Sequence, residues 1–378
     1  MNLSDYCSGT YVTQYEYRSF LPTSIHHPWI IAEPKLQNLL SQADRALGEL
    51  NAFSQLVPDI RFFIRTYVAK EATLSSRIEG TQTSIEDAFK NAEDLQPEKR
   101  DDWAEVQNYI RAINSAIETL EKLPFSNRLL RDTHAILMSG VRGQTKQRGE
   151  FRMSQNWIGV SLKNAVFIPP HHEQVADLMS DLEKFLHDES INVPPLIKIA
   201  IAHYQFETIH PFLDGNGRLG RLMISLYLAA ENLLGKPALY LSAYFEKNKT
   251  AYVDHLMAVR EGNHMQEWLV FFLHGVKETA ESATEVFREI IKLKERIERE
   301  ILPRFSLRRQ NNAQRLMSHL YQKPVVDIKE ICQLLDTVPN TAGALVNDLI
   351  KYEVLREMTG QQRNRFFVFY EYLGLFTR

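Results

Sequence analysis

The sequence predicts a mainly α-helical protein, with one small β-hairpin in its first 300 residues and a winged-helix-like module at its C-terminal end. Three observations carry this. Apolar residues recur at helical spacing in one segment after another. Only residues 149–170, GEFRMSQNWIGVSLKNAVFIPP, gather β-branched and aromatic residues around a turn-like centre. From about 307 a helix, a helix-turn-helix and an alternating strand follow in winged-helix order.

In chain order, the first thirty-odd residues have no helical period and are expected to wrap a core built later. Leu36, Leu39, Leu40, Ala43, Leu47 and Leu50 share one helix face, and Pro58 ends that run. A second helix is expected over about 59–78, closed by Gly80 as a glycine cap. Further helices begin near Asp101, Ser126, His172 and Pro195, and 218–233 resumes helix after a glycine-rich stretch. A charged amphipathic helix over 276–301, ended by Pro303, reads as a connector with a solvated face. NAQRLMSHLYQ, DIKEICQLLD and TAGALVNDLIKYEVL then give three helices, and RFFVFYEYL a strand. The expected organisation is an extension (1–100), a core (101–275), a connecting helix (276–303) and the C-terminal module (307–378).

A net charge of −3 over 378 residues gives no global pull toward nucleic acid or membrane. Cys7 and Cys332 are too few and too far apart for a disulfide framework or a zinc motif. No leader pattern is seen, and no run reaches the roughly 18 apolar residues that span a bilayer. A cytoplasmic protein is expected, without a membrane partner.

Residues 210–221 read HPFLDGNGRLGR. A hinge, a metal site and a phosphate cradle could each use such a stretch. Pro211 stops the preceding apolar helix just after His210. Gly215 and Gly217 can take positive φ, letting backbone N–H groups converge into an anion nest. The helix that follows adds its free N-terminal N–H groups. Arg218 and Arg221, three residues apart, are forked donors suited to phosphate. Asp214 is a hard oxygen ligand of the kind that holds Mg²⁺ against phosphates. Asn216 can bond a phosphoryl oxygen, and His210 is the natural general base for a hydroxyl. The constellation reads as phosphoryl or nucleotidyl transfer, the plainer alternative being an interhelical turn.

HPFLDGNGRLGR matches at every defined position the Fic family motif His-Pro-Phe-x-Asp/Glu-Gly-Asn-Gly-Arg-x-x-Arg, and the resemblance covers roughly 100–270. It implies a helical core that transfers AMP from Mg·ATP to a Ser, Thr or Tyr hydroxyl of a protein, releasing pyrophosphate. By resemblance, His210 deprotonates the acceptor and Asp214 holds Mg²⁺. The run Gly215, Asn216, Gly217, Arg218, Leu219, Gly220 and Arg221 binds ATP, Arg221 at the γ-phosphate. The hairpin's Val166, Phe167, Ile168 and Pro169 resemble the flap that aligns a target strand. Tyr252 falls near the adenine-side aromatic, and self-modification and a homodimer are further implications.

SSRIEG, 75–80, resembles the family's inhibitory motif through Ser75, Glu79 and Gly80. A Glu79 paired bidentately with Arg221 occupies the donors a γ-phosphate needs and sets like charge against it. An autoinhibited enzyme is expected, an ordinary exposed helix end being the plainer reading. De-adenylylation on the same fold and a nucleotide-sensing transcriptional regulator remain alternatives. His203, seven residues before His210, reads as core-facing. His26, His27, His171 and His172 have no ligand partners at helical spacing. In the C-terminal module Lys351 and Asp348 make a poor DNA-reading helix, while Arg363 and Arg365 make the wing basic. A protein-interaction role is expected there, with DNA binding open.

Overall fold

The computed structural model describes residues 1–56, 60–140, 147–235, 238–360 and 365–377. Helices α1 (Pro34–Leu56) and α2 (Ile60–Ile78) form the extension; Pro58, where the sequence predicts the break, lies outside the described residues. The core follows as α3 (Arg100–Leu120), α4 (Asn127–Leu137), β3 (Ile158–Gly159), β4 (Ala165–Phe167), α5 (Val175–His187), α6 (Pro195–Ile209), α7 (Asn216–Ala230), α8 (Ser242–Lys247) and α9 (Lys249–Gly262). At its centre is α6, whose residues from Leu196 to Ile209 are all buried. A helix apolar on nearly every side has to be surrounded, and α5, α7 and α10 (Met265–Arg296) pack against it. Ser126 caps α4, accepting from the Leu129 N–H. The expected hairpin is present, β3 pairing antiparallel with β4.

Two expectations about the first 300 residues are corrected. The N-terminal segment is not strandless. Its β1 (Gly9–Thr13) and β2 (Arg18–Pro22) form an antiparallel hairpin with Gly9 opposite Pro22. GTYVT carries the β-branched and aromatic residues that stabilise such a pair. The long helix is also no free connector. It starts at Met265 inside the core, packs along α1 and ends in a π-turn, Ile297–Ile301. Ala280, Ala283, Phe287, Ile290 and Leu293 bury one face, so the charges over 285–300 lie on the other.

The C-terminal module has α11 (Leu307–Leu320), β5 (Val325–Asp327), α12 (Ile328–Leu335), α13 (Pro339–Lys351), β6 (Arg356–Glu357), β7 (Phe366–Val368) and α14 (Tyr370–Gly374). The sheet order is β5-β7-β6, all antiparallel, which is the winged arrangement the sequence predicts. The last strand is shorter than expected, and YEYLG is helix. Phe366 to Phe369 are buried consecutively, and Tyr372 and Leu373 then bury at helical spacing.

This module sits on α2. Phe63 meets Tyr321 edge-on with centroids 5.6 Å apart, Thr66 Oγ1 lies 3.3 Å from the Tyr372 hydroxyl, and Tyr67 packs on Phe376 at 4.9 Å. One helix therefore runs from the C-terminal module at its start to the HPFLDGNGRLGR segment at its end. Among the described residues, no helix is long and apolar enough to cross a membrane.

Candidate active site

His210 is the C-cap of α6 and adopts a left-handed conformation, φ 50° and ψ 60°, uncommon for a residue with a β-carbon. The turn is clamped from the 149–170 segment. Arg152 Nε donates to the His210 carbonyl at 3.0 Å, and its Nη2 to the carbonyls of Pro170 at 2.6 Å and Ile209 at 3.3 Å. The Arg152 N–H reaches the Pro211 carbonyl at 2.8 Å. Asn156 Nδ2 donates to the carbonyls of His210 at 3.2 Å and Phe212 at 2.8 Å. The imidazole lines the cleft, with Nδ1 buried and no hydrogen-bond partner among the described residues. Burial, followed by the charges of Arg260 and Arg152, lowers its pKa to about 4. At neutral pH the ring is uncharged and able to accept a proton.

The loop after it forms the nest. Gly215, at φ 77°, is the N-cap of α7. The Asn216, Gly217 and Arg218 N–H groups, in the first turn, lack intrahelical acceptors. Asp214 Oδ1 accepts from the Gly215 N–H at 2.7 Å. The Asp214 carbonyl is held by His134 Nε2 at 2.9 Å, while His134 Nδ1 accepts from Gly149 N–H at 2.9 Å. Asn216 braces the turn, its Oδ1 accepting from the Phe212 N–H and its Nδ2 donating to the Phe212 carbonyl, each at 2.8 Å. One assignment needs correction. Gly217 does not use positive φ. It is needed for space, since a β-carbon there would overlap Glu79 Oε1.

The arginines divide. Arg221 Nη2 pairs with Glu79 Oε1 at 2.6 Å and also donates to the Ser75 carbonyl at 2.9 Å, while Nε donates to Ser75 Oγ at 2.9 Å. The predicted partners meet, but not as a bidentate pair, because Ser75 takes the Nε donor. Gly80, at φ 106°, ends α2 just beyond. Burial alone raises the Glu79 pKa, but the charge and hydrogen bond of Arg221, then Arg218 and His210, hold it below the usual carboxylate range. Arg218 lines the same cleft but is paired elsewhere. Its Nη1 bonds Glu105 at 3.0 Å and its Nη2 lies 3.5 Å from Met138 Sδ, while its buried Nε has no hydrogen-bond partner among the described residues.

These groups line a cleft of about 680 Å³ together with Tyr252 and Arg260. Leu219 and Gly220 do not line it. Leu219 is buried in the core, and the Gly220 carbonyl is held by His203 Nδ1 at 2.9 Å. His203 Nε2 faces the Tyr252 hydroxyl at 2.8 Å, so His203 is a satisfied core histidine and Tyr252 is tethered. Of Val166, Phe167, Ile168 and Pro169, only Val166 is well exposed. Phe167 is buried beneath Arg260, 3.9 Å from its ring centroid, and the Ile168 carbonyl accepts from the Phe20 N–H at 2.9 Å. The Pro169 carbonyl accepts from Gln155 Nε2 at 3.0 Å. In the C-terminal module Arg309 pairs with Asp348 at 2.8 Å and Arg365 with Glu357 at 2.5 Å. Arg363 lies outside the described residues.

Sequence reasoning missed Arg152, Asn156, His134, Glu105 and Glu207. Glu207 lies one turn before His210 in FETIH, and that spacing was the available signal. Burial raises its pKa to about 7, and its Oε1 fills the space left by the absent Gly220 side chain. The others come from distant segments, and no spacing within HPFLDGNGRLGR points to them.

Residues 37–118 match the model described as the Fic/DOC family N-terminal, and residues 124–228 that of the Fic/DOC family. The chain is 36% identical over 83 residues to the protein adenylyltransferase fic-1 of Caenorhabditis elegans, covering 22% of this chain and 15% of that protein. It is 40% identical over 81 residues to the protein adenylyltransferase Fic of Drosophila ananassae, covering 21% and 15%. The matches thus span under a quarter of those relatives' lengths. A Fic family protein from Desulfovibrio desulfuricans superposes with a TM-score of 0.56 at 20% identity, over 90% of this chain and 98% of that one. A C. elegans Fic-1 structure gives 0.53 at 22% identity, over 69% and 75%. Both likenesses are of fold.

Proposed function

Through residues 37–228 the chain belongs to the Fic/DOC family, and from that premise we propose that it is an autoinhibited protein adenylyltransferase. The substrate is ATP and the acceptor a Ser, Thr or Tyr hydroxyl of a protein, this chain included. The acceptor oxygen attacks the α-phosphorus and forms the new P–O bond. The bond to the bridging oxygen breaks, and pyrophosphate leaves. The hydroxyl proton passes to His210, whose buried ring is neutral and ready for it. The N–H groups at the start of α7 cradle the phosphates, and the nearby Arg221 offers the γ-phosphate its charge.

The observation that carries this reading is the place of Glu79. Its carboxylate lies over Gly217, in the nest itself, and pairs with the buried Arg221. An anion held in an anion site is the arrangement of an enzyme with its substrate position taken. The donor set also suits Mg²⁺, since the cleft-lining Asp214 places one hard carboxylate beside the nest. When bound there, the ion supplies charge neutralisation for the phosphates. The cytosol is the proposed compartment, where Cys7 and Cys332 stay free thiols.

The test is incubation of wild type, Glu79→Gly and Glu79→Gly/His210→Ala with Mg·ATP, followed by intact-mass spectrometry. A gain of one AMP, strongest in Glu79→Gly and absent in the double variant, supports adenylylation. No gain in any variant with ATP still bound moves the assignment to a nucleotide sensor or to AMP removal. In AMP removal Glu79 would orient an attacking water.

A further inference from the structure

Resting on the transferase reading above, we infer that Arg152 is a positioning residue that holds the catalytic imidazole of His210 in a fixed relation to the flap. Its side chain is 2% exposed and has no carboxylate partner among the described residues. A buried guanidinium is costly, and an apolar residue of similar volume fills a core more cheaply. What this charge does instead is collect carbonyls. Nε takes that of His210, Nη2 those of Ile209 and Pro170, and Nη1 that of Ser154. Two of these belong to the turn that presents the base, and one closes the flap.

The bridge matters because both ends would otherwise be loose. His210 sits in a left-handed conformation that the backbone abandons readily, and a small change in its φ or ψ swings the ring across the cleft. At the flap, β4 is three residues long and its partner two. The carbonyls of Ile168, Pro169 and Pro170 are fixed in turn by Phe20, Gln155 and Arg152. Gln155 is itself held by the Tyr17 hydroxyl at 3.2 Å. Among the described residues, Arg152 is the one side chain that bonds both the Pro170 carbonyl at the flap's end and the turn of the base. A lysine keeps the charge but presents its donors from a single point, so it cannot span the two segments.

The experiment compares Arg152→Lys with its parent in the full-length chain carrying Glu79→Gly. It reads kcat, KM for ATP, Tm and the His210 imidazole titration by ¹⁵N-histidine NMR, assigned with His210→Ala. We expect kcat to fall about tenfold to a hundredfold, as for a misplaced reacting group. KM for ATP should change by less than about twofold, because the nest makes its own contacts. The imidazole midpoint should rise from about 4 as the loosened turn admits water and relieves the burial that lowers it, with the charges of Arg260 and of the lysine at 152 still facing the ring. Should Arg152→Lys fail to fold, Asn156→Ala removes the other donor to the His210 carbonyl, and the same shifts are expected in smaller measure. Unchanged kcat and an unchanged imidazole midpoint overturn the inference, as does a loss of rate accounted for by Tm alone. If the parent transfers no AMP, it is the transferase reading that fails, and the NMR midpoint decides for Arg152: a rise supports the clamp and no change overturns it.

Discussion

Glu79 Oε1 lies 2.6 Å from Arg221 Nη2, a carboxylate at the end of α2 set against a guanidinium one turn into α7. The arginine side chain is 3% exposed and the glutamate 42%, so the pair is lopsided. The cation is built into the core, whereas the anion faces open space and can leave.

Glu79→Gly is therefore expected to raise the initial rate of AMP incorporation strongly. Glu79→Gln, which keeps the bulk but drops the charge, should give a smaller rise. Ser75→Ala removes the hydroxyl that steadies Arg221 Nε. At about 1 kcal/mol for such a bond, it should activate by about fivefold at most. Radiolabelled AMP incorporation with time checks all three, and a Glu79→Gly rate no higher than wild type would refute the brake.

The pH profile should carry the mark of a depressed imidazole. With the folded pKa near 4, His210 is the free base throughout the neutral range. The acid limb of kcat/KM in Glu79→Gly should thus fall below pH 5, rather than near the ordinary histidine value of about 6.5. Loss of Glu79 removes a charge that raises this pKa, so the variant gives no reason for a higher limb. The measurement is single-turnover transfer in short pH jumps.

The Arg218–Glu105 pair is buried on both sides, 5% and 9% exposed. Glu105→Ala strands a guanidinium and should cost about 3–5 kcal/mol. Replacing both partners, as Glu105→Leu/Arg218→Met, should recover most of that cost. Denaturant unfolding of the three proteins checks the order, and equal losses in the single and double variants would count against the pairing.

Stability should fall as the solution is acidified. His203 and His134 are neutral in the fold, with pKa values lowered by burial to about 3 and about 4. Each then binds a proton more readily when unfolded, so their contribution is complete above about pH 6.5 and is lost as pH falls toward those folded values. His203→Gln should flatten the decline of Tm between pH 6.5 and 4, read by calorimetry at stepped pH.

The local parts of this site were legible, and the assembled parts were not. HPFLDGNGRLGR announces a base, an acid and a nest because all of them sit within one turn and one helix start. Even the Glu79–Arg221 pairing could be anticipated, since each side carries its own short motif. What escaped were the groups that hold those residues still. Arg152, Asn156 and His134 act on backbone carbonyls, and a carbonyl has no identity in a sequence. The bracing of the turn by Asn216 escaped for the same reason, its partner being the backbone of Phe212. The helices were legible from apolar spacing. The β1–β2 hairpin was missed although GTYVT and RSFLP show strand residues, because each strand is only five residues long.

The Glu79 carboxylate fills the space above Gly217, and on the transferase reading proposed above the substrate takes the same space in its turn. The two roles do not break in the same way. Damage at Gly217 or Arg221 takes catalysis and restraint together, because both lean on the same atoms. Damage at Glu79 removes restraint and leaves the machinery whole. On that reading a single substitution at Glu79 yields an unregulated enzyme, while no single change at Arg221 leaves it restrained but otherwise sound. On that reading errors at Glu79 are biased toward excess and errors at Arg221 toward silence.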